Sequence, residues 1–311
     1  MTAGPDLQTL PTYLSTHHGA LSAVGARLDL GLAADDLARL TRAGVLVRVC
    51  RGGYADARSM EGATLEAVHE LRLRAVLAAH PRYAASHLSA AVLFGLPLLA
   101  ADLGQVHVVR RSGRGHGRRR SAYTVHEGHP EEFGSLRGAA TVGPVDAVLG
   151  ALSIGSDLSA QAVADAALRV GLATRELLLE RAAGWGPRAR HAVEQADPGA
   201  ESLGESGLRL VLRLLGYEVR TQVEFRDADG LVGRVDAYLP ELGVVLEFDG
   251  AVKYAGADGR EALVREKRRE DRLRALGLAV VRIVWADLRD PERIRRKVEP
   301  AARTVRPLAD R

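Results

Sequence analysis

The residues best placed to do chemistry lie between Asp236 and Lys253. Asp236, Glu247 and Asp249 sit on two short β-type runs joined by Pro240-Glu241-Leu242-Gly243, a turn sequence, and Lys253 follows the second run. Carboxylates gathered on one hairpin repel one another unless a divalent cation lies between them. Hard oxygen ligands of this kind suit Mg²⁺ or Mn²⁺. Such a cation offsets the charge of a phosphodiester and lowers the pKa of a bound water, so the pattern suggests metal-dependent phosphodiester hydrolysis. Lys253 would orient the water or stabilise the charge that develops on the phosphoryl group.

Side chains alternate between the faces of a strand, which tests whether the acids can meet. In residues 244–249, Val244, Leu246 and Phe248 point one way, and Val245, Glu247 and Asp249 the other. In residues 232–239 the same rule groups Val235, Ala237 and Leu239 against Arg234, Asp236 and Tyr238. Asp236 can then stand beside Glu247. Lysine usage adds a second argument. Of 43 Lys and Arg only Lys253, Lys267 and Lys297 are lysines, leaving 40 arginines. A chain that meets almost every need for positive charge with arginine has little reason to set a lysine beside an acidic cluster, unless the compact ammonium is wanted there.

The elements that must position these residues can be read on either side. Residues 202–215 form a helix with Leu208, Val211, Leu212 and Leu215 at helical spacing and Glu205, Arg209 and Arg213 on another face. Ser202 and Glu205 have capping-box spacing, so Glu205 either reaches back to the Ser202 N–H or completes the acidic cluster, and the two duties are compatible. Residues 221–225 form a strand, 227–230 a turn, 260–276 a charged helix and 279–285 a β-branched strand. Asp249-Gly250 alone could be no more than a turn. Glu266, Glu270, Asp271 and Arg274 read as a solvated, salt-bridged face, with Lys267 as a phosphate contact and Arg209 as a second nucleic-acid contact.

At these residues the chain resembles the PD-(D/E)XK nuclease superfamily and, more closely, the bacterial branch related to very-short-patch repair endonucleases. In that branch an acidic strand ending Glu-x-Asp-Gly, here Glu247-Phe248-Asp249-Gly250, is followed by a helix and another strand. The resemblance covers about residues 201–298 and implies a restriction-endonuclease-like αβββαβ core. It also implies a catalytic set of Glu205, Asp236, Glu247, Asp249 and Lys253, with metal on Asp236, Glu247 and Asp249. The chain departs from the superfamily pattern where Asp249 replaces the lysine usual after the strand glutamate, and Lys253 stands where the branch often has histidine. Either Lys253 activates the water from its own position, or the metal does so unaided.

Residues 6–18, 21–28 and 33–43 read as three helices, followed by a strand at 45–49 and a turn at 51–54. This is a helix-turn-helix with a β-wing. The text from Leu40 to Tyr54 resembles the winged-helix N-terminal domain of AbiEi-type antitoxins from abortive-infection type IV toxin–antitoxin systems. By that resemblance Arg39 and Arg42 lie on the recognition helix, with Arg48 and Arg51 near the wing, where they would meet phosphates or base edges. Winged helices also serve as protein-interaction modules.

Residues 64–196 give less. Helices at 65–79 and 84–95 and a strand at 106–109 resemble the middle region of AbiEi-like proteins, which identifies no reaction. His87 beside Ser86 and Ser89 reads as a capping or core histidine in preference to a catalytic one. Residues 110–120 hold Arg110, Arg111, Arg118, Arg119 and Arg120 with no acid, either as a solvated hairpin loop or as a path for a phosphate backbone. Asp197-Pro198-Gly199-Ala200 marks a linker. The expected plan is an α/β chain of α+β multidomain type: winged helix at 1–60, mixed α/β region at 61–196, nuclease-like domain at 197–311.

The single Cys50 excludes an intrachain disulfide, and no Cys/His spacing suggests zinc. No signal-peptide pattern is seen and the most apolar stretch, 90–103, is short and broken by Pro97, so a cytoplasmic protein without a membrane partner is expected. The net charge of +4 leans toward a polyanion. The leading expectation is therefore an Mg²⁺- or Mn²⁺-dependent DNA endonuclease or nickase delivered by the N-terminal module. The alternative is an AbiEi-like antitoxin or transcriptional regulator with an inactive nuclease-like domain and a cognate toxin as partner. A third class is a partner-binding module that does not touch DNA. Retention of the acids favours the enzyme.

Overall fold

A computed structural model of the chain describes residues 8–98, 101–112, 116–128, 130–250 and 259–305. It is of mixed α/β type with several sheets, divided into unit 1 (Met1–Gln195) and unit 2 (Ala196–Arg311). No helix among the described residues is long and apolar enough to cross a membrane.

Unit 1 begins with α1 (Leu10–Thr16), β1 (Ala20–Ser22), α2 (Ala23–Leu30), α3 (Ala34–Arg42), β2 (Leu46–Cys50) and β3 (Gly53–Asp56). Ser22 caps α2 by accepting the Gly25 N–H at 2.9 Å, and Gly31 ends it in the left-handed region at φ 67°. The three strands pair antiparallel in the order β1-β3-β2, over a core of Leu21, Leu30, Leu32, Leu37, Leu40 and Leu46. The expected turn at 51–54 is shorter than read, because β3 already starts at Gly53. There α4 (Leu65–Ala79) comes so close that a Cβ on Gly53 would lie 2.5 Å from the Ala75 carbonyl oxygen. Only glycine admits that approach.

After α4 come β4 (Tyr83–Ala85), α5 (His87–Leu93), β5 (Val106–Arg110), β6 (Arg118–Arg119), β7 (Tyr123–His126), β8 (Phe133–Leu136) and β9 (Ala139–Val142). They form a six-stranded sheet in the order β6-β7-β5-β4-β9-β8, in which β5/β7 and β4/β9 are parallel. Then follow α6 (Pro144–Ser153), α7 (Asp157–Arg169), α8 (Arg175–Ala182) and α9 (Pro187–Glu194). The arginine run thus contributes an edge strand, Arg118 opposite Val125 and Arg119 opposite Thr124, while residues 113–115 lie outside the described residues.

Unit 2 runs α10 (Leu203–Leu214), β10 (Arg220–Asp227), β11 (Gly230–Leu239), β12 (Val244–Phe248), α11 (Gly259–Ala275), β13 (Ala279–Ile283), α12 (Trp285–Leu288) and α13 (Pro291–Ala302). β10, β11 and β12 form an antiparallel meander, and α11 provides the crossover that lets β13 pair parallel with β12. One face of the sheet, with Ala237, Leu239, Val244 and Leu246, packs on Leu208 and Leu212 of α10 and Ile294 and Val298 of α13. The other, with Tyr238 and Val245, packs on Leu273 of α11 and on Leu278. Val235 corrects the sequence reading: it belongs with Val232 and Tyr238, not with Ala237 and Leu239. The alternation breaks around Asp236 because Gln222, opposite it on β10, has left-handed backbone at φ 53°, and the β10–β11 pairing skips this pair.

Candidate functional site

The β11–β12 ladder pairs Leu239 with Val244, Tyr238 with Val245 and Ala237 with Leu246, and then stops. Asp236 and Glu247 are the next residues along each strand, at the open end of the hairpin. There Asp236 replaces the missing ladder bond with its side chain, Oδ2 accepting the Phe248 N–H at 2.8 Å. Asp249 lies just past β12, half-buried, its N–H donating to the Ile283 carbonyl at 2.8 Å.

Glu205 joins from α10. Ser202 caps that helix, its Oγ accepting the Glu205 N–H at 3.2 Å. The return bond runs from the Glu201 N–H to Glu205 Oε2 at 2.8 Å, one residue earlier than the capping-box pattern gives. The same oxygen accepts Gln222 Nε2–H at 2.9 Å, so the strained Gln222 ties the helix acid to the sheet opposite Asp236. Capping and site duty coexist in Glu205.

Burial is the first cause that pushes the carboxyls of Glu205, Asp236 and Glu247 above their usual range. Mutual repulsion adds to it, since the charge of Asp236 raises both Glu205 and Glu247. Hydrogen bonds and arginines pull the other way without cancelling the effect. Arg269 of α11 is the principal one: Nη1 lies 2.5 Å from Glu247 Oε1, and Nη2 donates to the Arg234 carbonyl at 2.8 Å. The short contact to Glu247 is an ion pair out of line for a hydrogen bond, so Oε1 is a buried oxygen without an aligned donor. Gly233 makes room for the guanidinium, because a Cβ there would come 2.5 Å from Arg269 Nε.

Among the described residues no group of three or more His, Cys, Asp or Glu side chains is arranged as a metal cage. Asp236 is engaged with a backbone N–H and Glu247 with Arg269. In kind the donors do fit a hard divalent cation: carboxylate oxygens only, destabilised as anions by burial, one of them lacking an aligned donor. Lys253 lies outside the described residues.

Arg209 is not where a nucleic-acid contact must be. It is 1 % exposed, with Nε 3.9 Å from Asp197 Oδ2. Asp197 also accepts Thr221 Oγ1–H at 2.5 Å and the Gly199 N–H at 2.9 Å. The helix face that carries Arg209 is internal because the segment around Asp197 folds over it; the residue is structural. Lys267 is exposed on α11. In unit 1, Arg42, Arg48 and Arg51 are exposed, and Arg39 is exposed while paired to Asp36 at 2.7 Å. Arg111, Arg118, Arg119 and Arg120 are exposed, whereas Arg110 is half-buried and its Nη1 donates to the His116 carbonyl at 3.2 Å.

The sequence reading missed Arg269 and Gln222. Arg269 had a signal: it stands one helical turn before Leu273, which is fully buried, and so points the same way toward the sheet. Gln222 had none, since nothing in its neighbours marks a left-handed residue within a strand. The chain matches no protein-family model, and no curated protein matches it.

Proposed function

We propose that unit 2 is a metal-dependent DNA endonuclease or nickase that hydrolyses phosphodiester bonds, with unit 1 supplying the DNA-binding module. The observation that carries this reading is the trio Glu205, Asp236 and Glu247, three half-buried carboxylates, with Asp236 acting on both glutamates, at the open end of a hairpin. Asp236 and Glu247, with Asp249 at the strand end, would hold Mg²⁺ or Mn²⁺. The ion would supply a water of lowered pKa and a partner for phosphoryl oxygens. Glu205, fixed by Ser202 and Gln222, would keep the acidic end of the cluster oriented. Arg269 pairs with Glu247, offsetting part of its cost, and keeps a cationic group at the site where an anionic backbone would approach. Lys253 would orient the water or stabilise charge on the phosphoryl group. The restriction-endonuclease-like core and the winged-helix assignment of residues 1–60 belong to this same proposal, as does a cytoplasmic location.

A second reading has its own observation. Arg269 already provides the positive charge that Glu247 needs, so the acids could persist in a non-catalytic domain of an AbiEi-like regulator or antitoxin, with DNA and a toxin as partners. Cleavage of supercoiled plasmid and labelled single-stranded DNA by purified protein with Mg²⁺, Mn²⁺ or EDTA separates the two. The nuclease reading expects metal-dependent cutting that is lost in Asp236→Ala and Glu247→Ala while DNA binding remains. Salt-sensitive DNA binding with no cutting in either metal would establish the regulator instead.

A further inference from the structure

Unit 1 contains a second concentration of buried polar groups, to which the nuclease reading gives no task. A cavity of about 410 Å³ is lined by the start of α5, the ends of β5 and β7, and residues of α6 and 181–185. That volume is within the range of small-molecule sites. His87 and Trp185 make one wall aromatic, with His126 and His107 behind His87 and outside the lining. The His87 ring stacks on His126 with centroids 3.6 Å apart, His126 Nε2 lies 2.8 Å from His107 Nδ1, and Trp185 meets His87 edge-on at 5.4 Å.

His87 is held there against its backbone preference, at φ 48°, in a region that residues with a Cβ seldom occupy. Gly150 of α6 makes the position available, since a Cβ there would lie 3.1 Å from His87 Cα and 3.2 Å from its ring. Backbone strain of this kind persists where the surroundings over-determine it, and it gathers at ligand sites. Burial holds the imidazole well below its ordinary pKa, so His87 offers a neutral ring face.

The polar wall has a definite sign. Arg181 pairs with Asp146 at 3.1 Å and with Glu131 at 2.5 Å, and Glu127 also lines the cavity. Of these carboxylates Asp146 and Glu127 line the cavity, while Glu131 is exposed outside the lining; one guanidinium against two lining carboxylates leaves the wall one charge acidic, which repels phosphate and favours a neutral ligand rich in N–H donors. Just outside, the sign reverses. Val109 of the wall is followed by Arg110, and Glu127 accepts the Gly117 N–H at 2.7 Å from the segment that continues into the exposed Arg118 and Arg119 of β6.

An aromatic, acidic cavity bordered by an arginine edge matches the charge pattern of one molecule type. We propose that this cavity binds an amino-bearing nucleobase, as part of a nucleotide whose phosphate lies against the arginines of β6. The proposal is independent of the nuclease reading, because binding is measured on unit 1 groups with no metal present.

The test is calorimetric titration of the full-length protein in EDTA with adenosine, cytidine, guanosine and thymidine, and with their monophosphates. Amino-bearing nucleosides should bind at least tenfold more tightly than thymidine. Trp185→Ala should weaken them at least tenfold, and Trp185→Phe should restore most of the affinity. The Arg118→Ala, Arg119→Ala double variant should leave nucleoside binding unchanged and remove the extra, salt-sensitive affinity of the monophosphates. If Trp185→Ala loses its native circular dichroism, Asp146→Asn serves in its place and should abolish the preference over thymidine. A single-stranded oligonucleotide that displaces bound monophosphate identifies the ligand as a base within a strand, and one that does not identifies it as a free nucleotide. The proposal is overturned by absence of saturable binding at millimolar nucleoside and monophosphate, by equal affinity in a folded Trp185→Ala, or by preference for thymidine.

Discussion

Unit 1 and unit 2 each bury a cluster of ionisable side chains, and they solve the cost differently. His87, His107 and His126 become neutral: burial comes first among the causes, lowering His107 to about 3 and His126 to about 4, with His87 well below the ordinary value. The rings then stack and share a hydrogen bond. For Glu205, Asp236 and Glu247 the same burial acts the other way, raising the carboxyl pKa values, and Arg269 only partly offsets the cost of the charged form. A cluster that neutralises itself can wait for a neutral ligand. A cluster whose charged form is penalised by burial is instead relieved by positive charge.

The sharpest way to break the comparison is to neutralise the acids without changing their shape. Asp236→Asn and Glu247→Gln should each lower metal-dependent cleavage about 10³-fold, the loss of several kcal/mol of charge stabilisation. Both should nevertheless melt higher than the wild type at neutral pH without metal, because a carboxyl whose folded pKa is raised destabilises the fold once it ionises. Adding Mg²⁺ should reverse the order, stabilising the wild type by about 2.7 kcal/mol at a hundredfold excess over Kd. Lower melting of both variants in EDTA would remove the account of the acids as an anionic strain.

Next in size is Arg209. Arg209→Ala should cost unit 2 about 3–5 kcal/mol in denaturant melts, because it empties a fully buried position and breaks the pair with the half-buried Asp197. An unchanged melt with weakened DNA binding would restore the contact role expected from sequence. Gly233→Ala should cost about 1–3 kcal/mol through overpacking and displace Arg269 from Glu247. Arg269→Ala should match it in metal-free stability if the glycine acts through that arginine.

The smallest effect has opposite signs in the two units. The histidines have folded pKa values below their unfolded value, so their contribution is present above about pH 6.5 and is lost as pH falls toward 4. The raised acids do the reverse: their destabilisation appears as pH rises through their folded pKa values and is relieved by mild acid. Hydrogen exchange compared between pH 7 and 5, after correction for intrinsic rates, should show loss of protection around α5 and β7 and gain around the β11–β12 end. Parallel changes in both units would sink the contrast.

How much of this could be read beforehand depends on the length of each element. The helix expected at 65–79 coincides with α4, where Thr64 supplies the cap, accepting the Ala67 N–H at 3.3 Å. β12 was legible from strict alternation ending in acids. The strands of the six-stranded sheet were mostly missed because several have only two to four residues, as in β4, β6 and β8, too few to establish a period. The last strand was read through Trp285, yet β13 ends at Ile283, since Val284 accepts the role of N-cap position for α12. In the site, Asp236 and Glu247 were legible because acids inside an apolar strand demand a reason. Gln222 was not, because its contribution is a backbone angle, and Arg209 misled because helical periodicity cannot tell that residues 197–199 will cover an outward face.

The two-residue strand β6 also limits how the molecule meets its own kind. An edge strand offers unpaired backbone groups to any passing chain, and this one presents two adjacent arginines on the shortest strand of the sheet. Copies approaching edge to edge would bring like charges together before a backbone bond could form. The same side chains therefore guard the sheet against growing into a fibre.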